Sequence, residues 1–314
     1  MQQDIRMNTA ANPTPDRFMK IGRDPGRVER IERKSLTAWQ DIRRRLLANK
    51  LAMFGFYVMI AIVLLAILAP LLSHNNYFSN DLDHTNEAPS MRHWFGTDDL
   101  GRDLFVRTWK GAQVSLFVGV AAAVIDLFIG IVYGGIMGYF GGKTDEVMNR
   151  IAEVLYSIPY LLIVILLLVI MPPSLATIIV AMSITGWINM AWIVRGQIMQ
   201  LKGQEYALAS RALGAGPFRI IFRHLIPNAM GPILVTLTLT VPGAMFTEAF
   251  LSFLGLGVQS PVASWGTMIN DGASAMTVYP WRLLFPALLL SLTMFAFNVF
   301  GDGLRDAFDP KLKR

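Results

Sequence analysis

Two acids stand where acids are costly. Asp126 lies near the middle of one long apolar run, and Glu248 lies near the end of another. At such depth an ionisable group faces protein or trapped water, and it marks a pathway or a buried hydrogen bond. The pair could meet positive charge on a passing substrate, form a gate or carry protons. Structurally, Asp126 could instead bond to Asn189 or Ser183 on a neighbouring helix. Other chemistry is thin. His74, His84, His93 and His224 are scattered without ligand spacing, so no metal site is expected. The chain has no cysteine, hence no disulfide and no thiolate. Serines near glycine, such as Ser252, have no histidine suitably placed on the same side, and no catalytic residue is assigned. Gly142–Lys143–Thr144 supplies the second half of a phosphate-cradling loop, but Met137 holds the position that needs the first glycine. No cofactor is expected.

The elements that carry these residues are membrane helices. The 314-residue chain is 54% hydrophobic and 16% charged, where a soluble domain carries about a quarter charged residues. No Asp, Glu, Lys or Arg occurs from Val154 to Val194. About 20 apolar residues in a helix cross the hydrocarbon core, and helices satisfy their own backbone there. Six spans are predicted, at Leu51–Leu72, Val114–Tyr139, Ile151–Met171, Leu175–Val194, Ile226–Thr247 and Leu283–Phe300. Pro172–Pro173–Ser174 separates the third from the fourth. The fold class is therefore an all-α integral membrane protein with six transmembrane helices. The first apolar run is too long for a signal-peptide core and reads as a retained span.

Basic residues set the direction. Twelve precede the first span, including Arg43–Arg44–Arg45. Segment 195–223 holds five against the single acid Glu205, and the tail adds Arg305, Lys311, Lys313 and Arg314. All these fall on one side, which makes both termini cytoplasmic and explains the net charge of +6 without nucleic acid. The organisation is then a cytoplasmic arm (1–50), a first span (51–72), an extracytoplasmic loop (73–113), a five-helix core (114–300) with a cytoplasmic loop at 195–225, and a cytoplasmic tail (301–314). Residues 1–35 read as a flexible or surface-lying part of the arm. The extracytoplasmic loop carries Arg92, Arg102, Arg107 and Lys110 with six acids, against the trend. Its part HWFGTDDLGRDLFVRTWKGAQVSL could include a helix lying along the outer surface. Trp265, after the fifth span, suits a membrane interface, and by position it could also touch an outer partner.

One polar stretch, EYALASRALGAGPFRIIFRHLIPNAMG from Glu205, interrupts the apolar pattern. Tyr206, Ala209 and Leu213 recur at i, i+3 and i+7 and give a modest apolar face, with Glu205, Ser210 and Arg211 off it. Gly214 can stop this helix in a left-handed conformation, and Pro217 can open a second one over Phe218–Leu225. A simple connection needs only a few residues. A patterned helix–turn–helix is expected either to dock a partner or to lie on the membrane surface as an amphipathic helix.

This stretch resembles the coupling loop of bacterial ABC importer permeases, whose pattern is Glu-Ala-Ala, three residues, Gly, nine residues, Ile-x-Leu-Pro. Ala209, Gly214 and Pro227 fit that pattern, while the leading acid appears three residues early as Glu205. HWFGTDDLGRDLFVRTWKGA, GYFGGKTDEVMNRI, SFLGLGVQSPVASWGTMINDG and NVFGDGLRDAFDPKLKR are similar to segments of the C-type permease subunit of oligopeptide and dipeptide importers. The oligopeptide type is the closer likeness. The resemblance implies a type I ABC importer permease in the cytoplasmic (inner) membrane of a bacterium, surrounded by lipid. It also implies a second homologous permease subunit, two cytoplasmic ATPase subunits and an extracytoplasmic peptide-binding protein. ATP hydrolysis then belongs to the ATPases, and peptides are the cargo. Coupling falls to loop 203–225, with Tyr206, Ala209 and Leu213 buried against an ATPase, Glu205 and Arg211 at the rim, and Gly214 setting the turn. Asp126 and Glu248 become candidates for the translocation path or a gate. The alternative is a proton-coupled secondary transporter that uses the same two acids. Such carriers show internal repeats and helices broken at midplane, for which Pro242–Gly243 is a weak signal.

Overall fold

The computed structural model describes residues 37–73, 75–259 and 261–309. Residues 1–35 of the arm, His74, and the tail residues Lys311, Lys313 and Arg314 lie outside the described residues. Among those described the fold is all helical, apart from one isolated bridge between Thr97 and Asp103. Five helical segments are long and apolar enough to cross a membrane, and a bent pair makes a sixth if counted as one span.

Helix α1 (Ala38–Ala48) opens on a capping box in which Thr37 and Gln40 bond each other's backbone. Asn49 then caps α2 (Lys50–Leu72) by accepting from the Ala52 N–H at 3.1 Å. Helix α3 (Leu104–Phe140) is 37 residues long. It begins ten residues before the predicted span, because Asp103 caps it and Leu104, Val106 and Trp109 bury at once. The surface helix expected there is therefore the first turns of α3.

The predicted third span is broken. Helices α4 (Gly142–Ser157) and α5 (Tyr160–Ile170) meet at 79°. Pro159 is the cause. The residue before a proline is pushed out of the helical region, and Ile158 is extended at φ −73°, ψ 125°. Helices α6 (Leu175–Ser183) and α7 (Trp187–Leu201) form one apolar segment. Its hydrogen-bond ladder tightens at Thr185, whose carbonyl accepts from Ile188 N–H.

Helix α8 (Glu205–Ala212) is followed by α9 (Pro217–Ile220), a π-helical turn (Ile221–Leu225) and α10 (Ile226–Phe253). The last three join into one segment, Pro217–Phe253. A short helix, α11 (Trp265–Ala275), precedes α12 (Trp281–Phe308), so residues 301–308 continue the last span. Trp39 of α1 meets Phe308 edge-on, and Arg45 donates to the Asp309 carbonyl at 3.2 Å.

Small residues set the tightest packing. Gly130, Gly134 and Gly138 line one face of α3 against α7, where a Cβ on Gly134 would collide with the Ala191 carbonyl oxygen. A Cβ on Gly138 would stand 2.7 Å from the Arg195 oxygen. Close approach of this kind is how membrane helices gain packing energy without a hydrophobic driving force.

The segment before α3 explains the arginines that run against the charge trend. Asp98 accepts from Arg102 Nε at 2.7 Å and pairs with Arg107 Nε at 3.4 Å, all three being buried. Arg282 of α12 bonds Asn86 and Asp99. Charges neutralised in such pairs act as tertiary fasteners and carry little orientation signal.

Candidate functional site

Helix α8 rests on a single buried residue, Ala207, which joins the cluster around Ile198, Ile220 and Leu225. Its other apolar residues are exposed, Tyr206 only in part. Tyr206 is 38% exposed and Leu213 88%, and Ala209 is exposed as well. Leu208, Phe218 and Phe222 are exposed as well, with the two phenyl rings parallel at 6.5 Å. Sequence reasoning missed these three, although Phe218 and Phe222 stand at i and i+4, the spacing of neighbours on one helix face. Partial burial raises the Tyr206 phenol above its usual value, so it is a neutral hydrogen-bonding group at physiological pH. Glu205 and Arg211 make no ion pair among the described residues.

Gly214 ends α8 at φ +81°. Its N–H donates to Arg211 O at 3.0 Å, and Ala215 N–H donates to Ser210 O at 3.1 Å. These two bonds make a Schellman turn, which favours glycine because an L side chain is strained there. Pro217 occupies the first turn of α9, as expected. Behind α8, Lys202 Nζ donates to the Gly138 and Tyr139 carbonyls at 2.7 and 3.2 Å, which ties the segment to the end of α3. Arg195 of α7 holds Asp145 of α4 through two bonds of 2.5 and 2.6 Å.

The buried acids part company. Glu248 has no exposed surface and accepts from Ser115 at 3.0 Å and Ser252 at 2.8 Å. Ser115 in turn accepts the Trp265 N–H at 3.1 Å, so α3, α10 and α11 converge on one carboxyl. Trp265 itself is fully buried, with its ring N–H on the Thr108 carbonyl at 3.0 Å. That corrects the interfacial placement expected from sequence. The indole N–H finds its partner inside the protein, and α11 is wedged between α3, α10 and α12.

Asp126 is 4% exposed, and neither of its oxygens accepts a hydrogen bond among the described residues. The bond expected from Asn189 or Ser183 is not made, and Ser183 Oγ is itself buried without a partner. Gly186 leaves room for this carboxyl, since a Cβ there would collide with Asp126 Oδ2. Asp126 lines a cavity of about 580 Å³ with Tyr160, Asn189, Thr236, Thr240 and Thr247, bounded by α3, α5, α6, α7 and α10. Glu248 is not among the residues that line it.

Comparison with known proteins fixes the family. Residues 130–314 match the family described as binding-protein-dependent transport system inner membrane component. Residues 37–89 match the N-terminal TM domain of oligopeptide transport permease C. The chain is 58% identical over 297 residues to the oligopeptide transport system permease protein OppC of Bacillus subtilis (strain 168), covering 95% of this chain and 97% of that relative. It is 54% identical over 316 residues to the dipeptide transport system permease protein DppC of the same organism, covering 100% and 99%. A solved structure of inward-facing conformations of the MetNI methionine ABC transporter aligns with TM-score 0.52 at 18% identity, over 63% of this chain and 95% of that one, and supports the fold. The chain belongs to the family of binding-protein-dependent transport system inner membrane components, in its oligopeptide and dipeptide permease branch.

Proposed function

We propose that this chain is the membrane-spanning permease subunit of an ATP-driven importer of oligopeptides. It crosses the membrane six times, with the bent pair α4–α5 counted as one span and both termini in the cytoplasm. A second homologous permease subunit completes the path, and two ATPase subunits sit below. An extracytoplasmic binding protein delivers the peptide.

The observation that carries this reading is α8. It is a short helix whose Tyr206, Ala209 and Leu213 are left uncovered, and the Schellman turn at Gly214 connects it to the segment Pro217–Phe253. An uncovered apolar face on a short, well-terminated helix suits a cleft in a partner. The ATPase would cover that face, with Glu205 and Arg211 pairing at its rim. ATP-driven closure of the ATPases would then move α8 and, through Pro217–Phe253, the wall of the Asp126 cavity. Hydrolysis itself belongs to the partners. Glu248 is read as the anchor of the outer end, and Asp126 as the group that faces the path.

Purification from native membranes in mild detergent tests the assembly. Recovery with a second permease and two ATPases is expected, together with ATP-dependent peptide uptake after reconstitution with the binding protein. Recovery of the chain alone, with uptake that follows a proton gradient and ignores ATP, would refute the reading.

A further inference from the structure

The geometry points to the Asp126 cavity as a binding site for the α-ammonium group of the cargo, an assignment that rests on reading the cargo as a peptide. The wall of this cavity offers more acceptors than donors, the donors being the Asn189 amide and the hydroxyls of Tyr160 and Thr185. Thr236, Thr240 and Thr247 each donate their hydroxyl hydrogen to the carbonyl four residues back, at 2.9 Å in every case. Their lone pairs are what remains to bind a ligand. No lysine, arginine or histidine lines the space.

Asp126 adds a carboxyl that accepts nothing from the protein, although it is more than nine-tenths buried. Tyr160 lines the same space, and its buried hydroxyl also lacks a partner. Two buried polar groups on one cavity thus await a partner that the chain itself does not supply. A carboxylate in a membrane interior needs a cation or a proton. An ammonium group brings one positive charge and three donors, the complement of this wall. The volume of about 580 Å³ falls within the range of small-molecule sites.

The test uses the intact transporter in detergent without nucleotide. Dicyclohexylcarbodiimide, a hydrophobic reagent for carboxyl groups in apolar sites, is followed at Asp126 by peptide mass spectrometry, with Asp126→Asn as the background. The probes are trialanine amide, which carries one ammonium and no carboxylate, and its N-acetyl form. Asp126 is expected to label, and trialanine amide at about ten times its dissociation constant is expected to slow labelling about tenfold, since only the unoccupied site reacts. The N-acetyl form should leave labelling unchanged, and Tyr160→Phe should weaken the protection. Labelling that neither peptide alters, or that both alter equally, would overturn the proposal. So would a carboxyl that fails to label in the assembled transporter, and one that then labels in the isolated chain would assign the cation to the partner subunit. Protection that persists in a transporter showing no ATP-dependent uptake would leave the ammonium site standing and remove only the identity of its cargo.

Discussion

At the scale of single residues, the two buried acids show how little depth alone decides. Both were visible as charges inside apolar runs, and sequence could not separate their roles. The difference lies in their neighbours. Glu248 meets hydroxyls from Ser115 and Ser252, residues 133 positions away and four positions away, and only the fold brings the first within reach. Removing that carboxyl strands two buried donors, which costs about 1–3 kcal/mol each. Glu248→Ala should therefore lower the thermal unfolding midpoint in detergent clearly, and Glu248→Gln, which keeps an acceptor, much less. Equal losses from both variants would point to the charge instead. Gly214 was legible from sequence, but the reason a substitution should harm it is refined by the structure. No atom lies within 4 Å of a Cβ built there, so the obstacle is the backbone at φ +81° and not a collision. Asparagine tolerates that conformation and valine does not. Gly214→Asn is expected to keep ATP-coupled uptake near normal, while Gly214→Val loses most of it, as measured in proteoliposomes alongside the ATPase rate.

At the scale of helices, hydropathy located the apolar stretches but misplaced their ends. It reports which residues avoid water, whereas caps and tertiary contacts decide where a helix begins. Asp103 starts α3 and α12 runs on to Phe308 for that reason. The break at Pro159 was written in the sequence and overlooked, because a run of apolar residues on both sides masked it. The glycines of α3 were likewise present without a visible purpose, since their partners on α7 lie more than fifty residues away. Substituting Gly134 by valine should force α3 and α7 apart and cost about 1–3 kcal/mol or more. Gly196→Ala, on α7 where nothing lies within 4 Å of the added Cβ, should be neutral or gain up to about 1 kcal/mol. Melting curves of the two variants, with retention of the partner permease as a second readout, check the contrast.

At the scale of the whole molecule, orientation rests on lysine and arginine in the flanks, a signal legible in sequence and blurred by Arg102, Arg107 and Arg282. Their role as buried partners of Asp98, Asp99 and Asn86 could not be seen without the fold. The absence of cysteine from the chain makes every introduced thiol a unique reporter. Met91→Cys, at a position 96% exposed, should react with a membrane-impermeant maleimide in intact cells. Gln204→Cys, exposed beside α8, should react only after permeabilisation. The reverse pattern would invert the topology.

The segment from Pro217 to Phe253 runs to roughly 55 Å at 1.5 Å per residue. One end adjoins α8 and the other carries Glu248. Its midpoint falls beside Thr236, on the cavity wall. Moving as one body about that midpoint, it would act as a lever with the proposed ammonium site at its fulcrum. A tilt of about 5° would swing each end by roughly 2 Å in opposite directions. The Glu248 anchor and the α8 end would then move in antiphase, while the acceptors proposed to hold the cargo stay almost still.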